Sequence, residues 1–128
     1  MAQKEFRETR DADFKRAVGR VIREARGERL SVGDAVRRAI KGGAPHFYIS
    51  YDYAYRHLSL YRRGLKRGGK REAMWAEIDC RVRALGERRR GVPVSRLLAE
   101  VLMQGRATRF FITERYGMRV FNELGVRS

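Results

Sequence analysis

The sequence contains one cysteine, two histidines and two prolines among 128 residues. The single cysteine, Cys80, excludes an internal disulfide, and one Cys with two His cannot supply the usual four ligands of a structural zinc site. Its apolar neighbours Ile78 and Val82 predict a buried thiol. We therefore expect no metal and no cofactor, and a location in the reducing cytoplasm.

Long apolar runs are also missing. No segment approaches the roughly 18 apolar residues of a membrane-spanning helix, and Met1 to Thr9 is polar and charged, unlike a signal peptide. No strongly amphipathic segment carries basic residues alone on its polar side, as binding to a membrane surface requires. The sequence thus predicts no membrane partner.

Acidic residues are scarce. The chain has 15 Asp and Glu against 30 Lys and Arg, a formal charge of +15, and 25 of the 30 basic residues are arginine. Arginine presents planar, permanently charged donors that suit phosphate. This composition favours an anionic polymer as partner, although a GC-rich coding sequence also produces an arginine-rich protein.

Residue patterns typical of catalysis are absent. His46 and His57 have no matched carboxylate or serine pattern, and no phosphate-cradling glycine motif precedes a predicted helix. Most acidic residues alternate with arginines, as surface ion pairs do. We expect a binding protein and not an enzyme.

The sequence does contain an internal repeat. The segment HFYISYDYAYRHL (His46–Leu58) matches RFFITERYGMRVF (Arg109–Phe121) at a constant offset of 63 residues. In the second copy Arg109 replaces His46, which indicates a surface cation at this position. Each copy, at about 60 residues, would bury only a marginal core alone. We therefore expect one domain, residues 1–128, in which both copies share a core.

Each copy has the same predicted order of helix, helix, strand and helix, read from its hydrophobic periodicity. The periodic apolar residues that predict the first helix of repeat 2 are Met74, Trp75, Ile78, Val82 and Leu85. Repeat 1 spans about 11–63 and repeat 2 about 72–125, and a basic linker, 62–71, joins them. Because single short strands are not stable alone, the two predicted strands should pair, in antiparallel orientation. The predicted fold class is mainly α with a small β component.

Particular residues mark where these elements begin. The predicted strands are His46–Ile49 and Phe110–Ile112, rich in β-favouring side chains. The first helix is predicted over Asp11–Arg26, capped by Asp11 or Asp13. Lys15, Arg16, Arg20 and Arg23 are predicted opposite its apolar side. Hydroxyl residues are predicted N-caps of four later helices: Ser31, Ser50, Ser95 and Thr113.

The basic linker is the leading candidate for binding a nucleic acid. It combines three glycines with six basic residues, so the backbone can approach phosphates while the side chains neutralise them. A solvated connector without a ligand is the alternative interpretation. The six residues are Arg62, Arg63, Lys66, Arg67, Lys70 and Arg71.

A second basic cluster, Arg88, Arg89 and Arg90, is predicted in the loop between the first two helices of repeat 2. The capped third helices add a third candidate. If their N-termini face outward, Ser50, Thr113 and the neighbouring amides can contact phosphates.

Tyrosines are concentrated near the first predicted strand, and aromatic rings beside arginines can stack on unpaired bases. Core packing is the simpler interpretation for Phe47, Tyr55 and Tyr61. Both copies also contain a Tyr-Arg pair three residues apart, which either faces a ligand or forms an internal contact. These pairs are Tyr53 with Arg56 and Tyr116 with Arg119.

Together these features predict a small basic protein that binds nucleic acid through phosphate contacts with limited base readout, with DNA preferred over RNA. The alternative is an interaction or assembly module, of the kind found in phages or mobile elements, that docks an acidic protein partner. The sequence leaves the oligomeric state open.

Overall fold

A computed structural model describes residues 3–65 and 71–125, and in this part of the chain it contains six α-helices and no β-strand. The prediction of a mainly α fold is confirmed, and the predicted small β component is wrong. The helices are α1 Gln3–Glu24, α2 Val32–Lys41, α3 Tyr51–Arg62, α4 Glu72–Arg88, α5 Val94–Gln104 and α6 Glu114–Gly125.

The two predicted strands do not pair. One isolated antiparallel bridge joins Ala44 and Ala107, whose N–H groups donate to each other's carbonyls at 2.9 and 2.8 Å. Pro45 follows at once and has no N–H to extend a ladder. The Phe110 N–H donates instead to the Ile40 carbonyl at 2.9 Å. The apolar residues here are therefore buried in extended loops without a strand partner.

Tyr48 has a backbone φ of 61°, the one positive φ among the described non-glycine residues. This left-handed conformation is uncommon for an aromatic residue and is incompatible with a strand. The side chain is buried, stacks on Phe110 at 6.2 Å between ring centroids, and donates its hydroxyl to Asp13 at 2.7 Å. These contacts stabilise the unusual backbone.

The first compact unit contains α1, α2 and α6, residues 3–48 and 106–125. Its core includes Phe14, Val36 and Phe110, all almost fully buried, and Phe14 meets Phe110 edge to face at 5.2 Å. Gly117 of α6 allows close packing, because a Cβ there would lie 2.9 Å from Val36 and 3.0 Å from Phe14.

The second compact unit, Ile49–Gly105, contains α3, α4 and α5. The apolar residues predicted to line α4 are all buried in it, as are Leu58 of α3 and Leu98 of α5. Those α4 residues are Met74, Trp75, Ile78, Val82 and Leu85.

The third helices are exchanged relative to the sequence repeat. The unit with α1 and α2 of repeat 1 includes α6 of repeat 2, and the unit with α4 and α5 includes α3 of repeat 1. Sequence similarity identifies equivalent helices but does not reveal which copy each third helix packs against. That residues 1–128 form one domain with a common core remains a prediction.

Three predicted caps are correct. The hydroxyl oxygens of Ser31, Ser50 and Thr113 each accept a bond from the backbone N–H three residues later, at 3.0 to 3.1 Å. The predicted Ser95 cap is wrong, since α5 begins at Val94 with Pro93 at its N-cap.

The predicted start of α1 is also wrong, because the helix begins at Gln3, well before Asp11 and Asp13. Both carboxylates lie inside the helix. They accept hydrogen bonds from the tyrosine hydroxyls of Tyr116 and Tyr48, respectively.

Candidate nucleic-acid interface

The predicted linker site is only partly within the described residues. Lys66, Arg67 and Lys70 lie outside them. Of the rest, Arg62 donates to Asp79 at 2.6 Å and shares that carboxylate with Arg83. Arg63 is exposed at the end of α3, and Arg71 is half-buried at the N-cap of α4. Phosphate binding by this linker remains a prediction.

The second basic cluster is exposed and surrounds the end of α4. Arg88 is the last residue of that helix, and Arg89 forms an ion pair with Glu100 of α5. Arg88 and Arg90 have no ion pair among the described residues. The cluster therefore offers two uncompensated cations where three were predicted.

The Tyr-Arg pairs of the two copies have different surroundings. On α6, Tyr116 donates its hydroxyl to Asp11 at 2.8 Å and accepts from Arg10 at 2.8 Å, while the Arg119 guanidinium lies 5.1 Å from its ring centroid. Burial, followed by the bond to Asp11, raises the pKa of Tyr116. This pair is engaged in internal contacts.

On α3, the Tyr53 ring lies 4.0 Å from His57, which in turn stacks on Trp75 at 5.6 Å and an angle of 12°. Arg56 is exposed and has no ion pair among the described residues. Tyr55, predicted in the core, is 46% exposed and packs loosely on Tyr51 at 6.0 Å. The prediction of burial is correct for Phe47 and Tyr61.

The caps of the third helices have a structural role. Ser50 and Thr113 each satisfy one free amide at the start of α3 and α6, which leaves fewer donors for a phosphate. Their contact with a nucleic-acid backbone remains a prediction.

The basic residues of α4 are largely neutralised. Arg81 pairs with Glu77 at 3.0 Å, and Arg83 pairs with Asp79 at 3.0 Å. Burial alone would raise the pKa of Asp79, but hydrogen bonds from Arg83 and Arg62 outweigh it and lower that pKa. These arginines therefore bind carboxylates of the protein itself and are less available to an external anion.

The solvent side of α1 is different. Ala12, Lys15, Arg16, Gly19, Arg20 and Arg23 recur at intervals of three and four residues, so they form one stripe, here called the α1 basic face. They line an open groove of about 670 Å³. No carboxylate is among these six residues.

Two cations of the α1 basic face have no ion pair in the part of the chain that the structure describes. Arg16 forms an ion pair with Asp13 of the same helix. Arg20 and Arg23 are exposed and have no ion pair within residues 3–65 and 71–125. Arg23 lies in the last turn of α1, where the helix dipole favours positive charge. This face therefore combines concave shape, small residues and available guanidinium groups.

Sequence reasoning placed Lys15, Arg16, Arg20 and Arg23 opposite the apolar side of α1 but did not single them out as a site. The density of charge in the linker was the stronger local signal. What distinguishes α1 from α4 is the position of carboxylates along each helix. A comparison of the two equivalent helices for Asp and Glu three or four residues before each Arg would have revealed it.

Three further expectations concern the burial of the cysteine thiol, membrane-spanning helices and metal binding. Cys80 is exposed, so the predicted burial of its thiol is wrong, because it lies on the solvent side of α4. None of the described helices is long and apolar enough to cross a membrane. Within the described ranges, no three His, Cys, Asp or Glu side chains are grouped to hold a metal ion.

Comparison with protein-family models, with curated proteins and with solved structures found no match to this chain.

Proposed function

We propose that this protein is a nucleic-acid-binding protein, not an enzyme, and that it holds the phosphate backbone of duplex DNA along the α1 basic face. The observation that carries the proposal is the groove lined by Lys15, Arg16, Arg20 and Arg23. Exposed cations in a row, with Arg20 and Arg23 in no ion pair among the described residues, are the electrostatic pattern expected for a polyanion.

The dimensions of the face support a polymer over a small anion. From Ala12 to Arg23 the helix rises about 17 Å, at about 1.5 Å per residue. Phosphates on one DNA strand are separated by about 3.4 Å along the axis, so the face spans about five of them. A single small anion would occupy only part of this length.

Helix size supports DNA over RNA. An α-helix with side chains is about 10–12 Å wide, close to the roughly 12 Å width of the major groove of B-DNA. The major groove of A-form RNA is too narrow for side chains to enter. The stripe of cations on α1 can then reach phosphates of one strand while few side chains reach bases, which agrees with limited base readout.

The test compares two double variants with the same charge change on equivalent helices. Arg20→Gln with Arg23→Gln removes the uncompensated pair on α1, and Arg81→Gln with Arg83→Gln removes the carboxylate-paired arginines on α4. Binding of a labelled 20-base-pair duplex is measured at several salt concentrations. For the α1 variant we expect at least about tenfold weaker binding and a salt slope reduced by about 2, as loss of two phosphate contacts predicts.

The α4 variant should bind close to wild type, because its arginines already have partners. Equal losses in both variants would mean that net charge alone governs binding and would contradict the proposed face. No binding by the wild-type protein to duplex DNA, single-stranded DNA or structured RNA, together with capture of an acidic protein, would favour the interaction-module alternative.

A further inference from the structure

Gly19 lies in the middle of α1, where glycine is an unfavourable choice. A helix-interior glycine loses more backbone entropy on folding than alanine does. A glycine inside a helix usually has one of two structural explanations. Either a neighbouring group leaves no room for a Cβ, or the backbone has a positive φ. The structure permits both explanations to be checked for Gly19.

Neither explanation applies within the described residues. A Cβ on Gly19 would have one neighbour within 4 Å there, the Arg23 Nη1 atom at 3.5 Å, which is ordinary van der Waals contact. Its φ is not positive. Gly117 of α6 shows the contrasting case, since its Cβ would lie 2.9 Å from Val36.

The position of Gly19 in the groove offers another reason. Lys15, Arg16 and Arg23 lie four and three residues before it and four after it, on the same side of the helix, and Arg20 is adjacent. Gly19 thus lies between these cations and has no side chain, so the helix backbone is most accessible there. A phosphate placed over Gly19 would touch the helix itself and be surrounded by positive groups.

We infer that the sugar-phosphate backbone of the nucleic acid follows the α1 basic face in direct contact with Gly19, and that this contact is the reason for glycine at this position. The inference rests on the proposed function and specifies where on the α1 basic face the ligand lies closest. It predicts that added side-chain volume at Gly19 has opposite effects on folding and on binding.

Gly19→Ala tests this inference, and Gly33→Ala is the matched control. Gly33 is also helical, and the nearest atom to a Cβ placed on it is again the guanidinium of the arginine four residues later, Arg37 Nη1 at 3.7 Å. Both variants keep every charge. Thermal unfolding and binding to the labelled 20-base-pair duplex are measured for both, and for Gly19→Leu.

We expect Gly19→Ala to raise the unfolding midpoint by about 2–4 °C, since alanine favours the helix. The same variant should weaken DNA binding about five- to tenfold, as loss of one close contact would. Gly19→Leu should weaken it further. Gly33→Ala should not lower the midpoint and should bind DNA like wild type.

Two results would overturn the inference while the proposed function stands. Wild-type affinity in both Gly19→Ala and Gly19→Leu would show that the ligand does not approach this residue. A lower unfolding midpoint for Gly19→Ala would show that the glycine is needed for folding. Absence of DNA binding by the wild-type protein would instead refute the proposed function, and the inference with it.

Discussion

The two three-helix units contain equivalent helices, yet α1 and α4 distribute their charge differently. On α4, Arg81 and Arg83 each have a carboxylate four residues before them, and both are paired. On α1, Arg20 and Arg23 have no such pairing among the described residues. A formal charge of +15 is therefore not equally available over the surface. The difference depends on where a few acids lie along each helix.

The packing of the two units differs at a matched position as well. Gly117 of α6 corresponds to Ala54 of α3 at the repeat offset of 63, and Ala54 is fully buried. The side chains facing Gly117 leave no room for a methyl group. The two units thus fill their cores with different side chains around an equivalent third helix.

The largest expected effect is that of Gly117→Ala. The new Cβ would lie 2.9 Å from Val36 Cγ1 and 3.0 Å from Phe14 Cζ, and both side chains are fully buried. Overpacking of this kind outweighs the better helix propensity of alanine, and we expect a net loss of about 2 kcal/mol in the free energy of unfolding. Urea denaturation measures it.

Gly33→Ala is the control for that experiment, since a Cβ on Gly33 would make only ordinary van der Waals contacts. If Gly117→Ala is as stable as wild type, α6 does not pack against α1 and α2 as described, and the exchange of third helices is wrong.

A smaller effect is expected from Asp79→Asn, which removes the charge that pairs with Arg62 and Arg83. Asp79 is only 14% exposed and accepts from Arg62 at 2.6 Å, so we expect a loss of about 1 kcal/mol at neutral pH. Because the folded-state pKa of Asp79 is lowered from 3.8, its stabilising contribution is present above that value and is lost as pH falls through the folded-state pKa.

Urea midpoints of wild type and Asp79→Asn between about pH 6 and 2.5 test this assignment. The difference between the two proteins should shrink below about pH 4. A difference that stays constant to the lowest pH would show that Asp79 does not hold the α4 arginines through its charge.

Local patterns were sufficient to predict much of the helical fold. The buried positions of α4 and the caps Ser31, Ser50 and Thr113 depend on residues close in sequence, and their predictions were correct. The strand predictions were wrong. Phe47, Tyr48 and Ile49 have β-favouring side chains, but their backbone pairs with no strand among the described residues. Burial and strand propensity produce the same sequence signal in a segment this short.

Non-local contacts account for the remaining errors. Asp11 and Asp13 resemble caps, but they accept bonds from tyrosines 105 and 35 residues away. Arg62 pairs with Asp79 on another helix, which sequence density alone does not reveal. The α1 basic face is an exception, because the spacing between its arginines and the acidic residues of α1 can be read from the sequence.

Arginine footprinting with and without duplex DNA tests the difference between α1 and α4 most directly. The saturated complex and the free protein are treated with phenylglyoxal, and modification of each arginine is quantified by mass spectrometry. We expect DNA to protect Arg20 and Arg23, while Arg81 and Arg83 of α4, which already pair with carboxylates, react as before. Unchanged modification of Arg20 and Arg23 in the saturated complex, or equal protection of all four, would contradict the proposed face.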